Sequence, residues 1–170
     1  NKMYQTLIQE FGQPVFSNVS NPSVDFKPGT SQPEINMVFN TPKGPLDITI
    51  FLIDNIRSEG AAFYARYDER TRYSDFISYN AHSDLGENIY AFQRLGSFLP
   101  NHYRLILLDG CTSYSYYNRD IENRVGSDGQ TSPSRYVDII LNAMPSTFHR
   151  EPANNMELIK ALIGGEKTYN

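Results

Sequence analysis

Residues 74–111 read SDFISYNAHSDLGENIYAFQRLGSFLPNHYRLILLDGC, and their reading decides the fold. Two apolar runs, DFISY and YRLILL, each end in a short polar turn. The first turn carries His82; the second carries Cys111, the single cysteine of the chain. Leu105 to Leu108 is continuously apolar, as strands covered on both faces of a parallel sheet are. Between the runs, Leu85, Ile89 and Phe92 recur at helical spacing with Leu95 beside them. Asp84 three residues before Glu87 matches a capping signal, and Gly96 with Pro100 supplies a stop. The predicted order is strand, helix, strand. The spacing from His82 to Cys111 is close to the ~30 residues of a minimal βαβ unit. Both turns then open at the carboxyl edge of one sheet, where open α/β folds build their sites.

Working outward, Leu46 to Ile53 (LDITIFLI) is the strongest strand signal, rich in β-branched residues and ending in Asp54-Asn55. Ser58 is expected to open a helix holding Phe63 and Tyr67. This predicts the order β, α, β, α, β, an α/β fold with a mostly parallel sheet and helices on both faces. Upstream, Tyr4, Leu7, Ile8 and Phe11 mark one helical face ending at Gly12. Residues 12–34 are rich in Gly, Pro, Ser and Asn, the composition of a loop or an irregular hairpin region. Asn18-Val19-Ser20 is a glycosylation triplet. Ile35–Phe39 is a short strand candidate, and the turn at 41–45 fits a hairpin into the next run. Downstream of Cys111, residues 112–125 fit strand or loop, and 126–131 read as a polar loop. Ser132-Pro133 is a helix start, with Tyr136, Val137, Ile140, Leu141 and Met144 on its buried face and Pro145 at its end. A last helix is expected from about Asn154, with Glu157 at a capping position, to Gly164-Gly165.

The chain has 170 residues, enough for a single domain of ordinary size. Starting at Asn1 without methionine, it is expected to be part of a longer protein. A net charge of −4 and the lack of any basic block argue against nucleic-acid binding. No apolar run approaches the ~20 residues of a membrane-spanning helix. A lone cysteine excludes an internal disulfide framework and a multi-cysteine zinc site. His82, Asp84 and Cys111 match no metal-ligand spacing. Compartment and oligomeric state stay open, with a composition rich in Asn, Ser and Tyr leaning towards an exported bacterial protein.

The chemistry comes from the pair. A free cysteine, with pKa ~8.5, is only slightly ionised at neutral pH. An imidazole beside it serves as base and then acid. Taken singly, a cysteine after an apolar strand is a small buried hydrophobe. His82 alone is a turn residue, and Asp84 a helix cap. Asn80 and Ser83 are expected to brace the His turn through side-chain bonds to backbone. His102 and His149 read as surface loop residues, and Tyr114, Tyr116 and Tyr117 as core or cleft lining.

The stretches ISYNAHS and LILLDGC resemble the caspase-like cysteine peptidases, the group holding gingipains, legumains, clostripain and caspases, with the gingipain and clostripain branch nearest in look. The matching region runs from about Leu46 to Val125. The resemblance implies a three-layer caspase-like sandwich, His82 as general acid/base and Cys111 as nucleophile. It also implies an oxyanion hole from backbone N–H groups of Cys111 and the His turn, shaped by Ser83 and Gly110. Asp54 is the candidate for orienting the imidazole, and Asp109 for shaping the pocket or bonding backbone. No cofactor or metal is implied, and the partner is a protein or peptide substrate. The family usually has Gly directly after the His, where this chain has Ser83. Three functions therefore stand: a cysteine endopeptidase, a scaffold domain of the same fold without catalysis, and an acyltransferase or transpeptidase working through the same thioester.

Overall fold

The computed structural model describes residues 2–19, 34–125, 135–147 and 149–165. The chain divides into two compact units, Asn1–Asp54 with Pro152–Asn170, and Asn55–Glu151.

In the first unit, α1 (Lys2–Phe11) buries Tyr4 and Leu7, and Gly12 closes it with a positive φ of 78°. Three antiparallel strands follow in the order β1 (Phe16–Ser17), β2 (Glu34–Thr41), β3 (Gly44–Phe51). β2 alternates strictly, with Ile35, Met37 and Phe39 buried, and Phe39 meets Phe11 of α1 at 5.6 Å between ring centroids. The hairpin expected at 41–45 is present, with Thr41 paired to Gly44. The strand LDITIFLI therefore pairs antiparallel with β2, which corrects its assignment to the parallel sheet. Its β-branched residues report strand but not partner, and a two-residue turn joins only antiparallel neighbours.

In the second unit, α2 (Ala61–Thr71) starts three residues after Ser58, behind an extended Gly60. It leads to β4 (Phe76–Asn80), a 3₁₀ turn at Asp84–Gly86, α3 (Glu87–Arg94) and β5 (Arg104–Asp109). The strand–helix–strand reading is thus present, with β4 and β5 parallel and in register from Phe76↔Leu105 to Asn80↔Asp109. Ile89 and Phe92 of α3 are buried as expected, whereas Leu85 is 87 % exposed. Asp84 is not a cap: Gly86 precedes α3, and no side chain caps either helical start. A second 3₁₀ turn (Ser113–Tyr116) and α4 (Asp120–Val125) follow Cys111.

The helix expected over 132–144 is corrected. Residues 131–134 lie outside the described residues, as do 126–130, and Val137–Leu141 form β6, parallel to β5. Val137 and Leu141 fall on one face under either period, but a five-residue run rich in β-branched side chains, bounded by Asn142 and Pro145, is strand-sized. Val137 is buried, while Ile140 and Met144, assigned to a helix core, are exposed. The order β4-β5-β6 places β5 in the centre, which accounts for Ile106, Leu107 and Leu108 all being buried. Tyr79 of β4, Phe92 of α3 and Tyr67 of α2 form an aromatic chain, with centroid separations of 5.1 and 6.3 Å.

The last helix, α5 (Glu151–Gly164), starts three residues before Asn154. The triplet at Asn18 ends on Ser20, outside the described residues. No helix among the described residues is long and apolar enough to cross a membrane.

Candidate active site

Each strand of the parallel sheet ends in a loop, and three such loops meet around Cys111. The first follows β4. The Tyr79 hydroxyl and the Asn88 side-chain amide both donate to the His82 carbonyl, each at 2.9 Å. Burial pushes the Tyr79 hydroxyl up to about 12, the Asn88 bond opposing this, so it stays a proton donor throughout the physiological range. The Ser83 carbonyl accepts from the N–H groups of Gly86 and Asn88, at 2.9 and 3.2 Å. Between them the backbone runs through three consecutive positive φ angles, at Asp84, Leu85 and Gly86. Gly86 is required here, because a Cβ would lie 2.5 Å from the Tyr116 ring.

The second loop follows β5 and carries Gly110, Cys111 and Thr112. Cys111 is half-buried, with Sγ 3.9 Å from the Ser146 carbonyl. Thr112 also has a positive φ, of 48°. Three of the five non-glycine residues with positive φ among the described residues, Asp84, Leu85 and Thr112, therefore line the same cleft. Strain of this kind clusters where function requires a geometry that the local sequence disfavours.

His82 and Cys111 line one open cleft of about 360 Å³, together with Ser83, Asp84, Leu85, Thr112 and Tyr116. Ser83 joins the two turns directly. It is 4 % exposed, and its hydroxyl donates to the Cys111 carbonyl at 2.7 Å. Gly110 makes this approach possible, since a Cβ there would sit 2.6 Å from Ser83 Oγ. The space at Gly110 thus receives the neighbouring turn. Ser83 does bond backbone, as expected, but that of the Cys turn; the Asn80 amide donates to the Ser78 hydroxyl at 2.9 Å.

The third loop follows β6, which a helix over that segment would not place at this edge. Thr112 N–H donates to the Met144 carbonyl at 3.2 Å, and Tyr114 N–H to the Asn142 carbonyl at 3.1 Å. The Asn142 side-chain amide donates to Asp109 Oδ1 at 2.6 Å and to the Gly110 carbonyl at 3.3 Å. Asp109 is 2 % exposed and braces the base of the Cys turn. Glu151 is buried near it; burial first, then the Asp109 carboxylate, raises the Glu151 carboxyl to about 7. A strand reading of Val137–Leu141 places Asn142 at the same sheet edge, so the signal was present in the run itself.

Gln93 of α3 is fully buried and ties the crossover helix to the segment after Cys111. Its Nε2 donates to the Tyr116 carbonyl at 3.2 Å, and its Oε1 accepts from Asn118 N–H at 3.0 Å. Asp84 forms an ion pair with Arg57. Asp54 is exposed and belongs to the first unit. His149 is exposed, as expected, but His102 is half-buried with Nε2 3.1 Å from Asp75 Oδ1. Tyr116 lines the cleft, and Tyr114 is exposed. Among the described residues no group of three or more His, Cys, Asp or Glu is arranged to hold a metal ion. No family model matches the chain, and no curated protein or solved structure matches it either.

Proposed function

We propose that the chain is a cysteine peptidase that cleaves peptide bonds through a thioester, built on a caspase-like three-layer α/β domain. The observation that supports this reading is the cleft at the ends of β4 and β5. It is lined by His82 and Cys111 and walled by backbone in left-handed conformations.

In this reading His82 takes the thiol proton and the Cys111 sulfur attacks the carbonyl carbon of the scissile bond. A C–S bond forms, and the carbonyl π electrons move onto oxygen. The Cys111 N–H, with an N–H of the His turn, stabilises that oxyanion; the Thr112 N–H is already committed to Met144. Collapse of the intermediate breaks the C–N bond, and the amine leaves with the proton from His82. Water, deprotonated by His82, then hydrolyses the thioester and restores the thiol.

Ser83 bears on the choice between catalysis and a scaffold role. Its hydroxyl is spent on the Cys111 carbonyl, which holds the two turns together. The cleft remains open beside it, and this supports catalysis over a blocked site.

The test is chemical labelling of the native protein. Cys111 is expected to react with iodoacetamide and with a peptidyl acyloxymethyl ketone, and His82→Ala to slow the second reaction. A thiol that resists both reagents in the folded state overturns the peptidase reading. Reaction with iodoacetamide alone favours the scaffold. Peptide hydrolysis without any amine acceptor separates the peptidase from a transferase.

A further inference from the structure

We propose that Leu85, with Tyr116, forms an apolar subsite that receives a large apolar side chain adjacent to the bond Cys111 attacks. This rests on the peptidase reading and deepens it by naming a substrate class.

Leu85 combines two features that disfavour the free molecule. It is 87 % exposed, and its φ is 52°. A β-carbon in that backbone region crowds the neighbouring carbonyl, so residues other than Gly, Asn and Asp seldom occupy it. The surroundings nevertheless impose it. The Ser83 carbonyl binds the N–H groups of Gly86 and Asn88, and Gly86 lies against the Tyr116 ring with no room for a side chain. The turn therefore carries an aliphatic side chain into solvent at the wall of the cleft that holds His82 and Cys111. A polar residue there would cost the free protein less, so what the leucine contributes is contact with a ligand.

The charges in the lining agree. Asp84 is the permanently charged side chain among the described lining residues, and Arg57 already pairs with it. Thr112 and Tyr116 are neutral. A lysine, arginine or aspartate side chain entering the cleft would lose water without gaining an unmatched partner. A leucine, methionine or phenylalanine side chain would instead cover Leu85 and gain the contact.

The experiment uses four peptidyl acyloxymethyl ketones, identical except for Leu, Phe, Lys or Asp next to the reactive group. Mass gain at Cys111 is followed for each, and iodoacetamide, which carries no side chain, supplies the reference rate for every protein variant. The Leu and Phe reagents are expected to label at least about tenfold faster than the Lys and Asp reagents. Leu85→Asn, which suits the left-handed backbone, should shrink that preference to about threefold or less. Equal labelling by the Lys or Asp reagent, or an unchanged preference in Leu85→Asn, overturns the subsite while leaving the peptidase reading standing. If none of the four reagents labels a thiol that iodoacetamide does label, the peptidase reading fails and the subsite falls with it.

Discussion

The two ends of β5 are built on opposite terms. At its start, Arg104 is fully buried, and its guanidinium donates to the carbonyls of Leu99, His102 and Thr71 at 3.2, 3.4 and 3.5 Å. Phe98 lies between two cations, with Arg104 at 4.7 Å and Arg124 at 4.9 Å from the ring centroid. Arg124 in turn donates to the carbonyls of Gln93, Leu95 and Gly96. Burial lowers the pKa of both guanidinium groups, yet each stays charged because carbonyls and a ring face replace its water. Beyond the far end of this six-residue strand, the backbone is strained, Cys111 lines a cleft and two carboxyl groups are buried close together. One end spends side chains on holding the crossover; the other keeps a geometry that stability alone would not choose.

The contrast can be broken from either end. The largest effect is expected from His82→Ala, which should slow labelling by the best peptide reagent by about 10²-fold or more while leaving the thermal midpoint nearly unchanged. Arg104→Ala should do the reverse. It is expected to cost about 3 kcal/mol in urea unfolding, because stranded carbonyls and a cavity remain. The folded fraction should still label at Cys111 at the wild-type rate, and Arg104→Met should recover part of the loss. If Arg104→Ala abolishes labelling in protein that is still folded, the two ends are not separable.

Glu151 gives a smaller effect with a pH signature. Its carboxyl titrates near 7 when folded and near 4.5 in the unfolded chain. Between those values the folded state binds more protons, so stability falls as pH rises from 4.5 through 7 and then levels off. Glu151→Gln removes that dependence. Relative to wild type it should gain about 1–2 kcal/mol above pH 7 and almost nothing at pH 4.5, read from urea midpoints at the two values. An equal gain at both would show that Asp109 and burial do not disfavour the charge. Ser83→Ala should cost about 1 kcal/mol of stability for the lost bond to the Cys111 carbonyl. It should slow peptide labelling more than that loss explains, and Ser83→Thr should restore it. Thr112→Gly is the mildest case: relief of the left-handed backbone should stabilise the fold by up to about 1 kcal/mol and slow labelling.

The unit around β4, α3 and β5 was legible in the sequence because three signals agreed there. The period changes from strand to helix and back, Gly96 stops the helix, and the connection is too long for a hairpin. β6 is not legible in the sequence, because Val137 and Leu141 fall on one face under either period and the choice is made by pairing with a strand about thirty residues earlier. A helix over that run leaves Asn142, Ser146 and Glu151 away from the Cys turn, where β6 and the loop after it place them. LDITIFLI reads as strand, but its composition says nothing about its partner; only the tight turn before it does, and that turn joins it to β2. His82 and Cys111 come together in the cleft because the βαβ geometry is local. The role of Asp84 is not legible in the sequence because its partner, Arg57, lies before β4, and no sequence pattern announces an ion pair at that range.

Gln93 gives the eight-residue helix α3 a second task. The element that sets the spacing between the two reactive turns also grips the chain beyond the cysteine through a buried amide. A single inserted residue upstream of Gln93 in α3 would turn that side chain by about 100° and detach Tyr116 from its support. Lengthening the crossover is therefore not a neutral change in a linker. The count of residues between the imidazole and the sulfur is itself a dimension of the cleft.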